Sequence, residues 1–471
     1  MRRLLIVAYY FPPLGGMGAI RPLKLAKYLS RKNFEVFVLA PEKGTSEITD
    51  ESIIIPPELN VVRSSALTDR IRLFLARAGR TTTAGSMNSQ RFEPSGNEQP
   101  RAGSSVAEEV GDADGRTVLE SANRTALQKP RGLLSQFARD FLVNWILIPD
   151  GKAGWIPSAL SCAEKLIEKE RIDLIFSTSS PFTDHVIGYL LKRRLGKPWI
   201  ADLRDLWAQD EYMGRPAMRR AIDRKLEKGV LRLADAITVV SSEHHDKFID
   251  VYPAFRGKTW IVPNAFDPED LEVPCCEKTK FFSLTHTGTV YGEDKNFEDL
   301  FIVLRDLLRE GKIDRERVKL SFFGLPNRFI LRLISELNLG EVVEYRGLVN
   351  RKDALKTQRE SRMLLLSAKG GEDPALRGAV RAKLYEYLFS GTPVLAMCNP
   401  GSAPARIILK AGAGEVVKPG DREGLRAAIQ RRYDEFLTKG ELVHGVREGA
   451  LEEFHFSKSG DKLVEVIETL I

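Results

Sequence analysis

The chain has 471 residues, 43% of them hydrophobic and 29% charged, enough for two or three domains at roughly 150 residues each and unlike a collagenous, coiled-coil or wholly disordered protein. Cys162, Cys275, Cys276 and Cys398 form no Cys-x-x-Cys pair and no zinc spacing with histidine, so neither a disulfide framework nor a structural zinc site is indicated, and a reducing cytoplasm fits. The net charge of +7 favours anionic partners, while the absence of zinc-finger, RRM and basic-zipper spacings argues against nucleic acid.

Residues 1–16, MRRLLIVAYYFPPLGG, join a basic start to a short apolar run that no small-residue cleavage site follows, so they read as a buried first strand rather than a leader. No apolar stretch reaches the roughly 18 to 20 residues of a membrane span. The strand expected over Leu4 to Tyr9 runs into Gly15, Gly16 and Gly18, and Ile20, Leu23, Ala26 and Leu29 follow along one helical face. A glycine loop at a helix N-terminus suits an anion, and equally a plain tight turn. Neither the nicotinamide G-x-G-x-x-G fingerprint nor the Walker pattern is matched.

Further strands are expected at Val36 to Leu39, Leu174 to Thr178, Trp199 to Leu203, Ala236 to Val240 and Trp260 to Val262. Their near-continuous hydrophobicity predicts a parallel sheet buried on both faces. Between about 81 and 129 the apolar periodicity disappears and Ser, Thr, Gly, Asn and Gln dominate, which predicts a disordered insertion. Asp112 and Asp114 within it read as part of a solvated loop, since a metal-binding carboxylate pair must be held rigidly. The segment Arg131 to Trp145 suits either a core helix or a membrane-facing surface.

Trp199-Ile200-Ala201-Asp202-Leu203-Arg204-Asp205 ends a strand in a burst of charge, at the edge where open α/β sheets bind ligands. Arg204 there can clamp a phosphate and Asp205 can orient an acceptor hydroxyl, or the two can brace the loop as an ion pair. His185 lies near the start of a helix and can face the same crevice.

The pattern restarts after Pro268, with strands expected at Phe281 to His286, Lys319 to Phe323, Val342 to Tyr345, Met363 to Ser367, Val394 to Met397 and Gly414 to Val417. Two separate sheets follow more naturally than one. The first of these strands enters Thr287-Gly288-Thr289, with Lys295 at the next helix start, an arrangement that suits a diphosphate. Later, Arg381 to Ser390 forms an amphipathic helix that stops at Gly391 and drops into a strand. Lys383 and Glu386 share a face of it, as a cation for phosphate and a carboxylate for ribose hydroxyls, or as an i, i+3 ion pair. Leu463, Val466, Ile467 and Leu470 mark a closing helix.

Taken in order, FPPLGGMGAIRPLKLAKYLS, PWIADLRDLW, ADAITVVSS, VPNAFD, HTGTVYGEDKN and KLYEYLFSGTPVLA resemble the retaining glycosyltransferases of family four. The resemblance implies an α/β protein of the GT-B fold, two Rossmann-like domains with parallel sheets facing across a cleft and a C-terminal helix closing back. The domains expected are residues 1–268 on the acceptor side, 269–445 for the nucleotide sugar, and the closing helix at 446–471. The resemblance implies sugar transfer from a nucleotide-sugar donor to a glycan or lipid-linked acceptor, with no metal and no other cofactor, in polysaccharide or cell-envelope biosynthesis. A cytoplasmic enzyme, with peripheral contact to anionic lipid on the inner face of the cytoplasmic membrane, is expected. By the same resemblance Gly288, Thr289, Lys295, Arg381, Lys383 and Glu386 bind the donor, Glu386 through the ribose. Three positions depart from the family: Gly378 replaces the glutamate that contacts the sugar, Thr289 replaces an arginine, and Arg204 stands in place of a histidine. These departures leave a non-catalytic nucleotide-sugar-binding protein and a GT-B nucleotide-sugar epimerase open as alternatives.

Overall fold

A computed structural model describes residues 1–42, 49–66, 147–209, 215–271, 277–368, 378, 380–447 and 449–471. The expected insertion at 81–129, Asp112, Asp114, the segment Arg131 to Trp145, Cys275 and Cys276 lie outside the described residues.

The first sheet is parallel and seven-stranded: β1 (Arg2–Val7), β2 (Phe34–Pro41), β3 (Asn60–Ser64), β4 (Leu174–Ser179), β5 (Trp199–Leu203), β6 (Ala236–Val239) and β7 (Thr259–Ile261), in the order β3-β2-β1-β4-β5-β6-β7. Its strand order reverses beside β1, so the loops after β1 and β4 diverge and open the crevice expected of such sheets. Helices α1 (Met17–Arg31), α2 (Ile156–Glu170), α3 (Thr183–Leu195), α4 (Ala217–Leu231) and α5 (Ser242–Val251) cover it. β1 is buried from Leu4 onward, as its apolar run required, and β4 is buried throughout although its second half is Ser177-Thr178-Ser179. The strand that the apolar pattern does not announce is β3. It is an edge strand of five residues, NVVRS, with a mostly half-exposed surface and no long apolar run.

The second sheet has six parallel strands, β8 (Phe282–Thr287), β9 (Val318–Phe323), β10 (Val343–Gly347), β11 (Met363–Ser367), β12 (Val394–Met397) and β13 (Gly414–Val417), in the order β10-β9-β8-β11-β12-β13. Around it lie α6 (Lys295–Arg309), α7 (Arg328–Glu336), α8 (Arg351–Glu360), α9 (Ala382–Phe389), α10 (Ala403–Ala411) and α11 (Arg422–Lys439). The last helix, α12 (Phe456–Glu468), returns to the first domain, where Leu463, Val466 and Ile467 join Leu4, Ile6 and Leu29 in one core. Tyr28 Oη donates to Asp461 at 2.5 Å and Ser459 Oγ to the Pro263 carbonyl at 2.5 Å, which fastens the return.

Two chain segments cross between the sheets, and they pair with each other. Phe266 N donates to Phe454 O at 2.9 Å, and Phe456 N to Phe266 O at 2.7 Å. The first crossing is clamped by the basic face of α1: Lys24 Nζ reaches Asp267 at 2.6 Å and Asp270 at 2.5 Å, and Lys27 and Arg31 both pair with Glu269. Arg21, 5% exposed, makes a two-pronged pair with the fully buried Asp202 and also donates to the carbonyls of Val262 and Pro263. All three nitrogens of this guanidinium point at acceptors, which is how a buried charge is tolerated. The architecture is the pair of Rossmann-like units that the resemblance implied.

Candidate functional site at the facing strand ends

The site is built at the C-terminal ends of both sheets. On the first-domain side, β1 leaves the sheet through Tyr9 to Gly15, and Gly16, at φ +91°, turns the chain into α1 without a side-chain cap. The first turn of α1 carries no acidic residue, so nothing there offsets the positive end of the helix dipole. Gly15 and Gly16 line this bend, and Gly18 belongs to the helix itself.

Arg204 follows β5 directly, but its guanidinium is committed to backbone. Nε donates to Ser179 O at 2.5 Å, Nη2 to Ser180 O at 3.0 Å and Nη1 to Gly18 O at 2.6 Å. Burial in this crowded position pushes its pKa down from the usual arginine range. The expected phosphate clamp and the expected Arg204–Asp205 ion pair are therefore both replaced by a brace. Asp205 is exposed and accepts from Ser180 Oγ at 2.9 Å, so it holds the same Ser179-Ser180-Pro181 turn from the other side.

His185 does not open on the crevice. It is fully buried on α3, with Nδ1 2.8 Å from Ser177 Oγ, and burial lowers its pKa to about 3. Its neighbour Asp184 is the residue of that helix start that meets the β1 loop: its carboxylate accepts from Tyr9 N at 2.9 Å, and burial pushes its pKa well up.

On the second-domain side, β8 ends at Thr287 and is followed by Gly288, which has φ +111°. That backbone angle favours glycine, and Lys383 lies close against the position, its Nζ 2.5 Å from where a Cβ would be. Lys383, on α9, donates to Thr287 O at 2.8 Å and lies 3.4 Å from His286 Nε2. His286 Nδ1 is 2.9 Å from Leu365 O, which fixes the proton on Nδ1 and leaves Nε2 as the acceptor for the lysine. Desolvation first, and then the nearby Arg381, bring Lys383 down to about 7. Held by neutral acceptors beneath a glycine turn, this lysine has no carboxylate partner among the described residues. The Lys383–Glu386 ion pair that their spacing allows is not formed.

Glu386 is buried and its carboxylate is already engaged, by Arg351 of α8 and by Gln358 Nε2 at 3.3 Å. Lys295 behaves as a surface residue: its side chain is 72% exposed and pairs with Glu298 at 2.7 Å, and the start of α6 is capped by Asp294. Thr289 lies on the same loop as Gly288, with its hydroxyl 3.4 Å from Leu325 N, and Arg381 is the exposed N-cap of α9. Thus Gly288, Thr289, Arg381 and Lys383 gather at one strand end, whereas Lys295 turns aside.

Gly378 faces the other domain. Ser241 Oγ donates to its carbonyl at 3.1 Å, and a Cβ at 378 would lie 2.3 Å from the Cβ of Glu243. Glu243, at the start of α5, in turn pairs with Arg406 of α10. The first domain thus fills the space that a side chain at 378 would need. Arg351, Gln358 and Glu243 carried no signal in the sequence, because each meets its partner only across a sheet end or a domain boundary.

Residues 128–270 match the model described as Glycosyltransferase Family 4. No curated protein matches the sequence at a significant level. Among solved structures, sucrose-phosphate synthase from Thermosynechococcus elongatus is similar in fold, with a TM-score of 0.59 at 15% identity over 100% of this chain and 99% of that one. A mutant of TarM from S. aureus, in complex with Fondaparinux, alpha-GlcNAc-glycerol and UDP, gives 0.53 at 11% identity over 99% of each chain. A putative UDP-N-acetylglucosamine 2-epimerase from Listeria monocytogenes gives 0.50 at 11% identity over 99% of this chain and 96% of that one. With two Rossmann-like parallel sheets and this likeness in fold over the whole chain, the protein has the GT-B fold, and its residues 128–270 are similar to Glycosyltransferase Family 4.

Proposed function

We propose that this protein is a metal-independent retaining glycosyltransferase that moves a sugar from a nucleotide sugar to a glycan or lipid-linked acceptor in polysaccharide or cell-envelope biosynthesis. The observation that carries the reading is Lys383, a shielded ammonium 2.8 Å from Thr287 O, pressed against Gly288 and with no carboxylate partner among the described residues. In this reading the donor diphosphate lies over Gly288 and Thr289, with Lys383 and Arg381 beside it. Positive groups fixed in place before the reaction stabilise the charge that grows on a leaving diphosphate, and this is the main contribution such a site makes to the rate. Glu386 takes the ribose hydroxyls.

The acceptor approaches from the first domain, beside Asp205 and the turn that Arg204 braces. With no enzymatic nucleophile assigned, the acceptor hydroxyl attacks the anomeric carbon from the face that the diphosphate leaves, its proton passing to the departing phosphate oxygen as the sugar–phosphate bond breaks, which retains the anomeric configuration. Holding donor and acceptor together between the domains makes their encounter effectively unimolecular. No described helix is long and apolar enough to cross a membrane, so a lipid-linked acceptor would be met at the membrane surface. The net charge of +7 favours an anionic one.

The first test is thermal stabilisation by UDP, GDP, ADP, CMP and dTDP, repeated on Lys383→Ala. A ligand at about 100 times its Kd adds roughly 2.7 kcal/mol to the folded state. A shift with one nucleotide that vanishes in the variant supports the reading and directs the search for transfer to that nucleotide's sugars. No shift with any nucleotide, in a folded protein, sinks it. Binding without transfer across an acceptor panel would favour a non-catalytic binding protein, and isomerisation of the donor without acceptor would favour an epimerase.

A further inference from the structure

We propose that Arg351 is a positioning residue that fixes the Glu386 carboxylate for a donor's ribose and ties that orientation to the contact between the domains. The inference rests on the reading of Glu386 as the ribose-binding carboxylate. Arg351 is the first residue of α8, and its fork divides: Nη1 pairs with Glu386 and Nη2 with Asp270 of the interdomain crossing at 2.8 Å. Its backbone N–H, one of those a helix start leaves without an internal partner, donates to Asp50 Oδ2 of the first domain at 2.8 Å. Asp270 is itself held by Lys24 of α1. One residue therefore touches a first-domain loop, the crossing segment and the donor-side helix.

The second contact of Glu386 is equally constrained. The Gln358 amide divides its two protons between Glu386 and Thr287 Oγ1, at 3.3 and 3.0 Å. Each carboxylate oxygen thus receives one donor from its own domain. A carboxylate offers about four acceptor positions, so both oxygens keep capacity for a pair of hydroxyls. A planar guanidinium sets the rotation of the carboxylate that it grips, which a lysine cannot do. When the domains separate, Asp50 and Lys24 leave with the first domain, and the arms that steady Arg351 loosen. Ribose recognition and domain contact are coupled through this side chain, and such coupling acts equally in both directions.

The experiment measures, by titration calorimetry, the Kd of UDP, GDP and ADP and of their 2′,3′-dideoxy analogues for the wild type, Arg351→Gln, Arg351→Lys and Asp270→Asn. The wild type is expected to favour the ribose form by about tenfold or more, the value of hydrogen bonds to a charged group. Arg351→Gln is expected to lose most of that preference while its affinity for the dideoxy analogue stays close to wild type, with partial recovery in Arg351→Lys. A merely structural role would weaken both ligands alike. If Arg351→Gln does not fold, Asp270→Asn carries the test, since it removes one arm and leaves Glu386 and Arg351 in place. Nucleotide binding with an undiminished ribose preference in Arg351→Gln and Asp270→Asn overturns this proposal alone. Absence of any nucleotide binding by the wild type overturns the donor-site reading with it.

Discussion

Arg204 Nη1 lies 2.6 Å from the carbonyl oxygen of Gly18, the oxygen whose helical partner would be the amide of residue 22. Residue 22 is proline and has no N–H, so a proline inside α1 frees an acceptor and the arginine that follows β5 takes it. The same guanidinium holds Ser179 O and Ser180 O, and so joins the start of α1 to the β4 and β5 loops at one point.

Removal of Arg204 should accordingly be costly. Arg204→Ala strands three carbonyls that a charged donor now satisfies, at roughly 3 kcal/mol, and should lower Tm by about 6 to 12 °C for a domain of this size. Arg204→Lys should recover only part, because an ammonium cannot reproduce the fork. A fall below about 2 °C in the alanine variant would show that the brace is unimportant.

Lys383 predicts a proton linkage. Its pKa in the free protein is about 7, and a bound diphosphate raises it, since an opposite charge favours the protonated form. As pH rises above 7 the free protein loses this proton first, so binding must take a proton up and affinity should fall. Calorimetry at about pH 8, one unit above that pKa, in buffers of differing ionisation enthalpy should register uptake of close to one proton, abolished in Lys383→Gln. Equal uptake in the two proteins would assign the proton elsewhere.

Gly378 and Glu243 make a steric prediction. With a Cβ at 378 falling 2.3 Å from that of Glu243, Gly378→Ala must push the domains apart or distort the start of α5. The variant should lose stability or show a larger radius of gyration in small-angle scattering. Adding Glu243→Gly, which removes the clashing atom, should make the double variant less affected than the sum of the singles by about 1 kcal/mol or more. Strict additivity would mean that the two positions do not meet.

Glu227 predicts a stability that depends on pH. It is fully buried on α4, accepts from Tyr252 Oη at 2.7 Å and Gln209 Nε2 at 3.1 Å, and leaves Oε1 without a side-chain partner among the described residues. Burial raises its pKa from 4.5 to about 7. A folded pKa above the unfolded one gives stability that is present in full below pH 4.5 and lost as pH rises through 7. Glu227→Gln, which cannot ionise, should be more stable than wild type at about pH 8 by up to about 3 kcal/mol and close to it near pH 4.5. Parallel stability profiles for the two proteins would contradict this.

The division between what is legible and what is hidden follows the range of the interactions. Apolar runs such as Leu4 to Val7, and Trp199 to Leu203 interrupted only by the buried and paired Asp202, announce strands covered on both faces, because helices pack against both sides of a parallel sheet. The glycines that end strands are also visible, and Gly288 sits where expected because no other residue takes its backbone angle without strain. The edge strand β3 stays hidden because a half-exposed strand needs no apolar run.

The site is less legible, since a side chain's role depends on which acceptors surround it. His185 and Ile187 lie on the same short helix and are both fully buried, and only packing against Ser177 shows that the histidine is an interior group. Lys295 and Lys383 look alike in sequence, yet one is exposed and paired with Glu298 while the other is drawn under a glycine turn and lowered to about 7. Glu386 is visible from its place in KLYEYLFSG, whereas Arg351, 35 residues earlier, is not. Periodicity and backbone restriction are local, so the sequence alone determined the two parallel sheets, the glycine turns and the closing helix. Desolvation and ion pairing depend on neighbours brought from distant positions, so only the tertiary structure decided which charged groups are engaged and which remain available for a ligand.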